Sequence, residues 1–388
     1  MDEKETLVVK DFKFFGGKHC QTAALKNILD YRGLHFTEEL LLGLGGGIGF
    51  IYWFSKKMPF PFIGGRNSKV DEFVLKICSR IGAEAVISKT SSEKKAHGEL
   101  KEALRRDEPA YLFADMAYLP YFEVPEETHF GGHTIAVFGV DEKMNKVFIS
   151  DRGRKQVTVS VDDLKKARGS KFPPFPAENK MLKMKCPSKQ GNLKKGIDEA
   201  AKECCLSMMK PPIRNFGFAG MEKWSAQVLG WPEQFRGMNL LGCLLNTFIY
   251  IEIGGTGGSA FRPMYAQFLR EASPLVKKRG FMKAADLFEE SGRAWSEIAA
   301  AALPDDEPPL GRIRKLMFEK NNLFENMPEG YFERMAAINV EMNMMVKKAL
   351  GKLSGGNVSF LLRNMKRKIL KCREMEKKAF KELSESVF

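Results

Sequence analysis

Three short β-branched runs follow one another: HTIAVFGV at 133–140, KVFISD at 146–151 and KQVTVSV at 155–161, with DEKMN and RGR in the turns between them. Runs of this kind joined by polar turns read as an antiparallel meander. In an antiparallel hairpin the end of one strand lies beside the start of the other, so Asp151 is expected close to His133. Helical patterning precedes the meander. CQTAALKNILDYRG at 20–33 sets Ala24, Leu25, Ile28 and Leu29 on one face and offers Gly33 as a C-cap. Two more helices are expected over 69–81 and 93–106, with strands at 84–88 and 110–115.

The stretch 169–192 is rich in Pro, Lys and Gly and reads as a boundary. Beyond it the pattern is helical, with candidates at 192–210, 218–230, 237–253, 259–273, 280–302, 329–350 and 358–385. A chain of 388 residues is too long for one ordinary core. The expectation is an α+β domain over 1–170, a linker over 171–191 and an all-α domain over 192–388.

The formal charge of +14 would attract nucleic acid, anionic lipid or an acidic protein. The charge is diffuse, and no nucleic-acid motif accompanies it. The nearest basic block, Arg363, Lys366, Arg367, Lys368 and Lys371, reads as a solvated helix face. No run approaches the roughly 20 apolar residues of a membrane span. The longest, 240–253, is broken by Asn246 and Glu252. Neither nucleic acid nor membrane is therefore expected as a partner. The N-terminal MDEKETLVVKDF has no apolar leader core. The seven cysteines are an odd set without CxxC or zinc-ligand spacing. A cytoplasmic protein of mostly buried thiols, with no metal and no cofactor, is the expectation.

One thiol stands apart. Cys20 opens a helix behind the Gly16-Gly17 turn, where free N–H groups and the helix dipole favour a thiolate and a developing oxyanion. Cysteine acyl chemistry needs that thiolate, a histidine beside it and an acceptor fixing the ring. His133 and Asp151 supply the last two on consecutive strands, so the three are read as nucleophile, base and orienting carboxylate. His19 is a rival base facing another direction, or a source of positive potential, and Gln21 is a weak candidate for oxyanion donor. His129 is a substrate or supporting group, and Asp141 a rival third member.

Here the residues resemble a known family. GGKHCQTAALKNILDYRG, GLGGGIGFIYWF, and GGHTIAVFGVD with ISDR are similar to the N-terminal domain of butirosin biosynthesis protein H, over about 12–165. The resemblance implies a papain-like cysteine protease/acyltransferase fold. It also implies acyl transfer from an acyl-carrier-protein thioester to an amine, with Cys20, His133 and Asp151 in the roles above. IRNFGFAGMEKWSAQV and EIGGTGGSAFRPMYAQFLREAS resemble the domain of unassigned function that often follows, over about 195–385. More distantly, the first domain is similar to bacteriocin-processing cysteine peptidases, which carry glutamine six residues before the cysteine. Phe14 stands there in this chain and disfavours a peptidase.

Two glycine-rich stretches remain. GLGGGIGF at 43–50 lacks a P-loop ending and reads as a tight or mobile loop lining the active-site cleft. GGTGGSAFR at 254–262 is either a plain helix–helix turn or an anion site built from a helix N-terminus and Arg262. In the second reading Glu252, Gly255, Thr256, Arg262 and Tyr265 bind the amine acceptor or the carrier's phosphopantetheine. The function expected is thus an acyltransferase acting through S-acyl-Cys20, with an acidic acyl-carrier protein and a small-molecule amine as partners. A homodimer is also allowed. A peptidase or amidase, and a non-catalytic binding protein on the same fold, are the competing readings.

Overall fold

The computed structural model describes residues 4–388 apart from 57, 67, 68, 126, 354 and 355, so the first three residues of the N-terminal stretch read above lie outside it. In chain order the elements are β1 (Thr6–Val8), α1 (Cys20–Tyr31), α2 (Glu38–Leu44), β2 (Ile51–Trp53), β3 (Phe62–Gly64), α3 (Val70–Arg80), β4 (Glu84–Ser88) and α4 (Glu93–Arg105). Next come β5 (Ala110–Ala114), β6 (His133–Asp141), β7 (Lys146–Ser150), β8 (Val157–Val159), α5 (Val161–Gly169), β9 (Met181–Lys185), α6 (Lys194–Met209) and α7 (Gly217–Gln227). They are followed by α8 (Trp231–Gln234), α9 (Met238–Phe248), α10 (Arg262–Val276), α11 (Gly280–Ala302), α12 (Pro308–Asn326), α13 (Tyr331–Lys352) and α14 (Gly356–Val387). These gather into two compact units, both discontinuous in sequence. The first comprises the chain up to Leu41, Val70–Gly191 and Asn322–Ala336; the second comprises Leu42–Lys69, Asn192–Asn321 and Ala337–Phe388.

The first unit is built on an antiparallel sheet in the order β4-β9-β5-β6-β7-β8, with β1 also paired to β6. The β6–β7–β8 meander is present as expected from its alternating β-branched runs. β6 is buried from His133 to Val140, because it has β5 and β1 along one edge and β7 along the other. A register shift between Val137 and Gly139 accommodates the pairing with β7. Packed near β6, α1 turns its Ala24, Leu25, Ile28 and Leu29 stripe into the core.

The boundary segment contains a strand that composition concealed. β9 pairs Met181–Lys185 against β4 and reaches β5, so MLKMK sits inside the sheet although Lys and Pro surround it. Four further helices, α2, α5, α8 and α12, lie where no helix was expected.

In the second unit α14 runs along α11. Its Leu362, Met365, Ile369, Cys372, Phe380 and Leu383 recur at helical spacing and are buried. Arg363, Arg367 and Lys371 lie on the exposed side, in keeping with a solvated face. The expected all-α region also carries a small antiparallel sheet, β2–β3, drawn from the early chain. Phe50, buried between Trp224 at 5.6 Å and Trp295 at 5.7 Å, anchors that segment.

This corrects the reading of GLGGGIGF. Residues 43–50 are buried and belong to the second unit, and they do not form an open loop beside Cys20. The glycines permit close packing: a Cβ on Gly43 would lie 2.1 Å from the Phe268 ring, and one on Gly47 2.4 Å from the Tyr265 ring. No described helix is long and apolar enough to cross a membrane.

Candidate active site

The turn before α1 is fixed from three sides. The Gly17 N–H donates to the Arg152 carbonyl at 2.7 Å, tying the turn to the chain just after Asp151. Asn27 of α1 accepts from the Phe15 N–H at 3.1 Å and donates to Ser150 Oγ at 2.9 Å. The buried Glu38 carboxylate accepts from the N–H groups of Lys18 (2.8 Å) and His19 (3.2 Å) and from Thr22 Oγ1 (2.9 Å). Burial pushes the Glu38 carboxyl up despite these donors. Gly17 is required here, since a Cβ would meet that of Ala23 at 2.4 Å and the Glu38 oxygens at 3.1 Å. Cys20 follows as the first residue of α1, half-buried, at the positive end of the helix dipole.

His133 stands at the start of β6 and Asp151 just beyond β7. Their side chains are buried, with His133 Nε2 donating to Asp151 Oδ2 at 2.8 Å. With Nε2 so occupied, Nδ1 is the ring nitrogen left for the hydrogen bond with Cys20. Burial and the Asp151 charge disfavour the Cys20 thiolate. The His133 charge and hydrogen bond, helped by the Thr134 backbone N–H, outweigh them and hold the thiol below its ordinary value. Burial favours neutral His133, but the Asp151 and Cys20 charges and hydrogen bonds raise its pKa to about 9. Asp151 is buried too, yet His133, Arg152 and Tyr121 keep its carboxyl below the usual range. The groups thus stabilise a thiolate–imidazolium pair held by an ionised carboxylate.

Two aromatic residues complete this arrangement. The Tyr121 hydroxyl donates to Asp151 Oδ2 at 2.8 Å, the oxygen that also serves His133, and Phe122 meets the imidazole edge-on at 5.0 Å. Neither carries a sequence signal, because Pro120–Phe122 is a single 3-10 turn, too short to leave a periodicity. Since a hydrogen bond to a charged group contributes roughly 1.5–3 kcal/mol, Tyr121→Phe is expected to raise the Asp151 pKa and slow Cys20 alkylation roughly tenfold near neutral pH. Iodoacetamide kinetics followed by peptide mass spectrometry measure it.

The other expected site residues separate. His19 is buried as the N-cap of α1, its Nδ1 at 3.2 Å from Thr22 Oγ1 and its ring edge-on to Phe73. It is built into the turn rather than offered as a base. Gln21 is buried and donates from Nε2 to the Val70 carbonyl at 2.8 Å. His129 pairs with Asp115, its Nδ1 at 2.9 Å from Oδ2. Asp141 accepts from the Met144 N–H at 2.9 Å in the β6–β7 turn, while His133 is bonded to Asp151 instead.

Glu252, Gly255, Thr256, Arg262 and Tyr265 all lie in the second unit, while the Cys20 cluster belongs to the first. The anion-site reading of Arg262 is corrected. Its side chain is fully buried, with Nε and one terminal nitrogen on Glu376 and further bonds to the carbonyls of Ala260 (2.7 Å), Gly49 (3.1 Å) and Gly65 (3.4 Å). All five N–H donors are thereby used. The expected helix start at 259 is also displaced: Ser259, Ala260 and Phe261 have φ of 50°, 51° and 72°, and α10 begins at Arg262. Thr256 donates from its hydroxyl to the Ile251 carbonyl at 2.9 Å, Gly255 has φ of 73°, and Tyr265 is buried. Glu252 accepts from the Ser259 N–H at 3.4 Å. Arg262→Ala would strand the buried Glu376 carboxylate, and about 3–5 kcal/mol of stability should be lost. Denaturant unfolding measures that loss. Among the described residues no group of three or more His, Cys, Asp or Glu could hold a metal ion.

A mixed sheet-and-helix unit carrying Cys, His and Asp, with a largely helical remainder, defines the class. Residues 19–152 match the family model described as Butirosin biosynthesis protein H, N-terminal, and residues 162–317 match that of Domain of unknown function (DUF4872). The chain belongs to the butirosin biosynthesis protein H-like family, with the unassigned domain following the N-terminal one. Comparison with curated proteins gives no match.

Proposed function

We propose that the protein is a papain-like cysteine acyltransferase of secondary-metabolite biosynthesis, working through an acyl group carried on Cys20. The observation that carries this reading is Cys20 as the first residue of α1, interacting with a buried His133 whose Nε2 donates to Asp151 Oδ2 at 2.8 Å. His133 takes the thiol proton, and the thiolate attacks the thioester carbonyl. The oxyanion so formed is received at the N-terminal end of α1, where the helix dipole favours negative charge. Collapse expels the donor's thiol, protonated by the imidazolium, and leaves S-acyl-Cys20. An amine then attacks, His133 removes its proton, and the amide departs as the Cys20 thiolate is restored. The charge of +14 suits an acidic acyl-carrier protein as donor, and the seven free thiols suit the cytoplasm.

Water in place of the amine would make the same residues a hydrolase. Incubation with a panel of acyl thioesters, then with a primary amine, separates the outcomes by mass. The expected result is an acyl adduct on the Cys20 peptide that the amine discharges to an amide faster than water does. An adduct on another residue, or no adduct with any thioester, would overturn the proposal.

A further inference from the structure

Residues 322–336 lie beyond both family-matched regions and are separated from the rest of the first unit by the Asn192–Asn321 segment, yet they pack into that unit. They comprise the last turn of α12, the connecting turn and the start of α13. Phe324 is 4% exposed. Its ring lies parallel to Tyr121, with centroids 6.2 Å apart and planes 7° off, and 4.9 Å from Phe122. These two rings touch the triad: Tyr121 donates to Asp151, and Phe122 abuts His133. Phe324 also carries the guanidinium of Arg152 over its ring at 5.1 Å. The contact continues along the backbone, where the Arg154 N–H donates to the Glu325 carbonyl at 3.0 Å. Gly153 leaves room for Met327, whose Cε would lie 2.2 Å from a Cβ there.

We infer that Phe324 is a positioning residue for the Cys20–His133–Asp151 site, a wedge that holds Tyr121 and Phe122 against Asp151 and His133. The inference rests on the proposed cysteine chemistry. Both aromatic residues belong to a single 3-10 turn, Pro120–Phe122, between β5 and β6, held by the Phe122 N–H on the Leu119 carbonyl at 3.1 Å and lying outside the strand pairing of the sheet. A flat ring behind them fixes the direction from which the Tyr121 hydroxyl reaches Asp151 and the face that Phe122 presents to the imidazole. Removing the wedge lets both rings rotate, loosens the carboxylate and imidazole, and weakens the charge pair that stabilises the thiolate.

The test uses the full chain with Phe324→Leu, which keeps an apolar side chain but loses the flat face, and with Phe324→Ala. Leu100→Ala, a buried truncation in α4, serves as a control for stability alone. The pH dependence of Cys20 alkylation and the melting temperature are measured for each. The acid limb of the alkylation profile should move to higher pH in both Phe324 variants. At a fixed pH below that limb, the rate should fall about tenfold for every pH unit by which the limb moves. Leu100→Ala should lower the melting temperature without moving the limb. If a folded Phe324 variant has the wild-type limb, Phe324 is only a packing residue and the inference is overturned. If the wild type itself titrates like an ordinary thiol, the proposed cysteine chemistry fails and the positioning role fails with it.

Discussion

Cys20→Ser is expected to abolish acyl transfer, with product formation at least about a thousandfold lower and no acyl adduct on the peptide bearing residue 20. The cause lies in the nucleophile's acidity. The thiol is held below its ordinary value by a histidine beside it, which favours the thiolate. A serine hydroxyl in the same place is far less acidic, and the imidazole, already committed to Asp151, would have to accept its proton against a larger gap. The variant should fold normally, since the hydroxyl replaces a half-buried thiol with no disulfide. Mass spectrometry after thioester exposure gives the result. Residual adduct at His133 or another cysteine would indicate that the chemistry belongs elsewhere.

Asp151→Asn is the second large effect. Asp151 accepts from His133, from Tyr121 and from the Arg152 N–H at 2.7 Å. An amide cannot accept all of these without turning its NH2 toward one of the donors. The imidazole then loses the charge that helps raise its pKa to about 9 and can adopt the wrong tautomer. Transfer should fall on the order of a thousandfold. The pH profile adds a signed expectation. Histidine charge is present below the folded pKa and lost as pH rises through it, so the alkaline limb of wild-type transfer should lie near pH 9. In the variant that limb should move to lower pH. An unchanged limb would mean that His133 is not the titrating group. The acid limb follows the Cys20 thiol, with activity lost as pH falls through its lowered value.

The contrast between these residues and the rest of the molecule shows which features can be read from sequence. Cys20, His133 and Asp151 were visible because each occupies an end of a strongly patterned element, and because the hairpin between β6 and β7 brings residues 133 and 151 together by local geometry alone. Tyr121 and Glu38 were not visible. Tyr121 belongs to a single 3-10 turn, and Glu38 acts mainly through backbone N–H groups, which leave no residue-type signal. β9 was hidden because its lysines alternate with apolar residues inside a Pro- and Lys-rich stretch. Arg262 misled for a different reason: its partner Glu376 is 114 residues away, so the charge looked free beside the glycine-rich turn. The return of residues 322–336 to the first unit depends on tertiary packing that no spacing rule anticipates.

Competition among the protein's own cysteines tests the charge pair most directly. Burial pushes Cys78, Cys204 and Cys243 up to about 12, and Cys205 and Cys372 are raised as well, whereas Cys20 is lowered. Half-buried Cys186 is also raised and serves as the accessible comparison. Native protein treated briefly with limiting iodoacetamide near pH 6 should carry the label on the Cys20 peptide well before any other. If Cys186 is labelled as fast as Cys20, there is no thiolate–imidazolium pair at the start of α1, and the enzymatic reading is wrong.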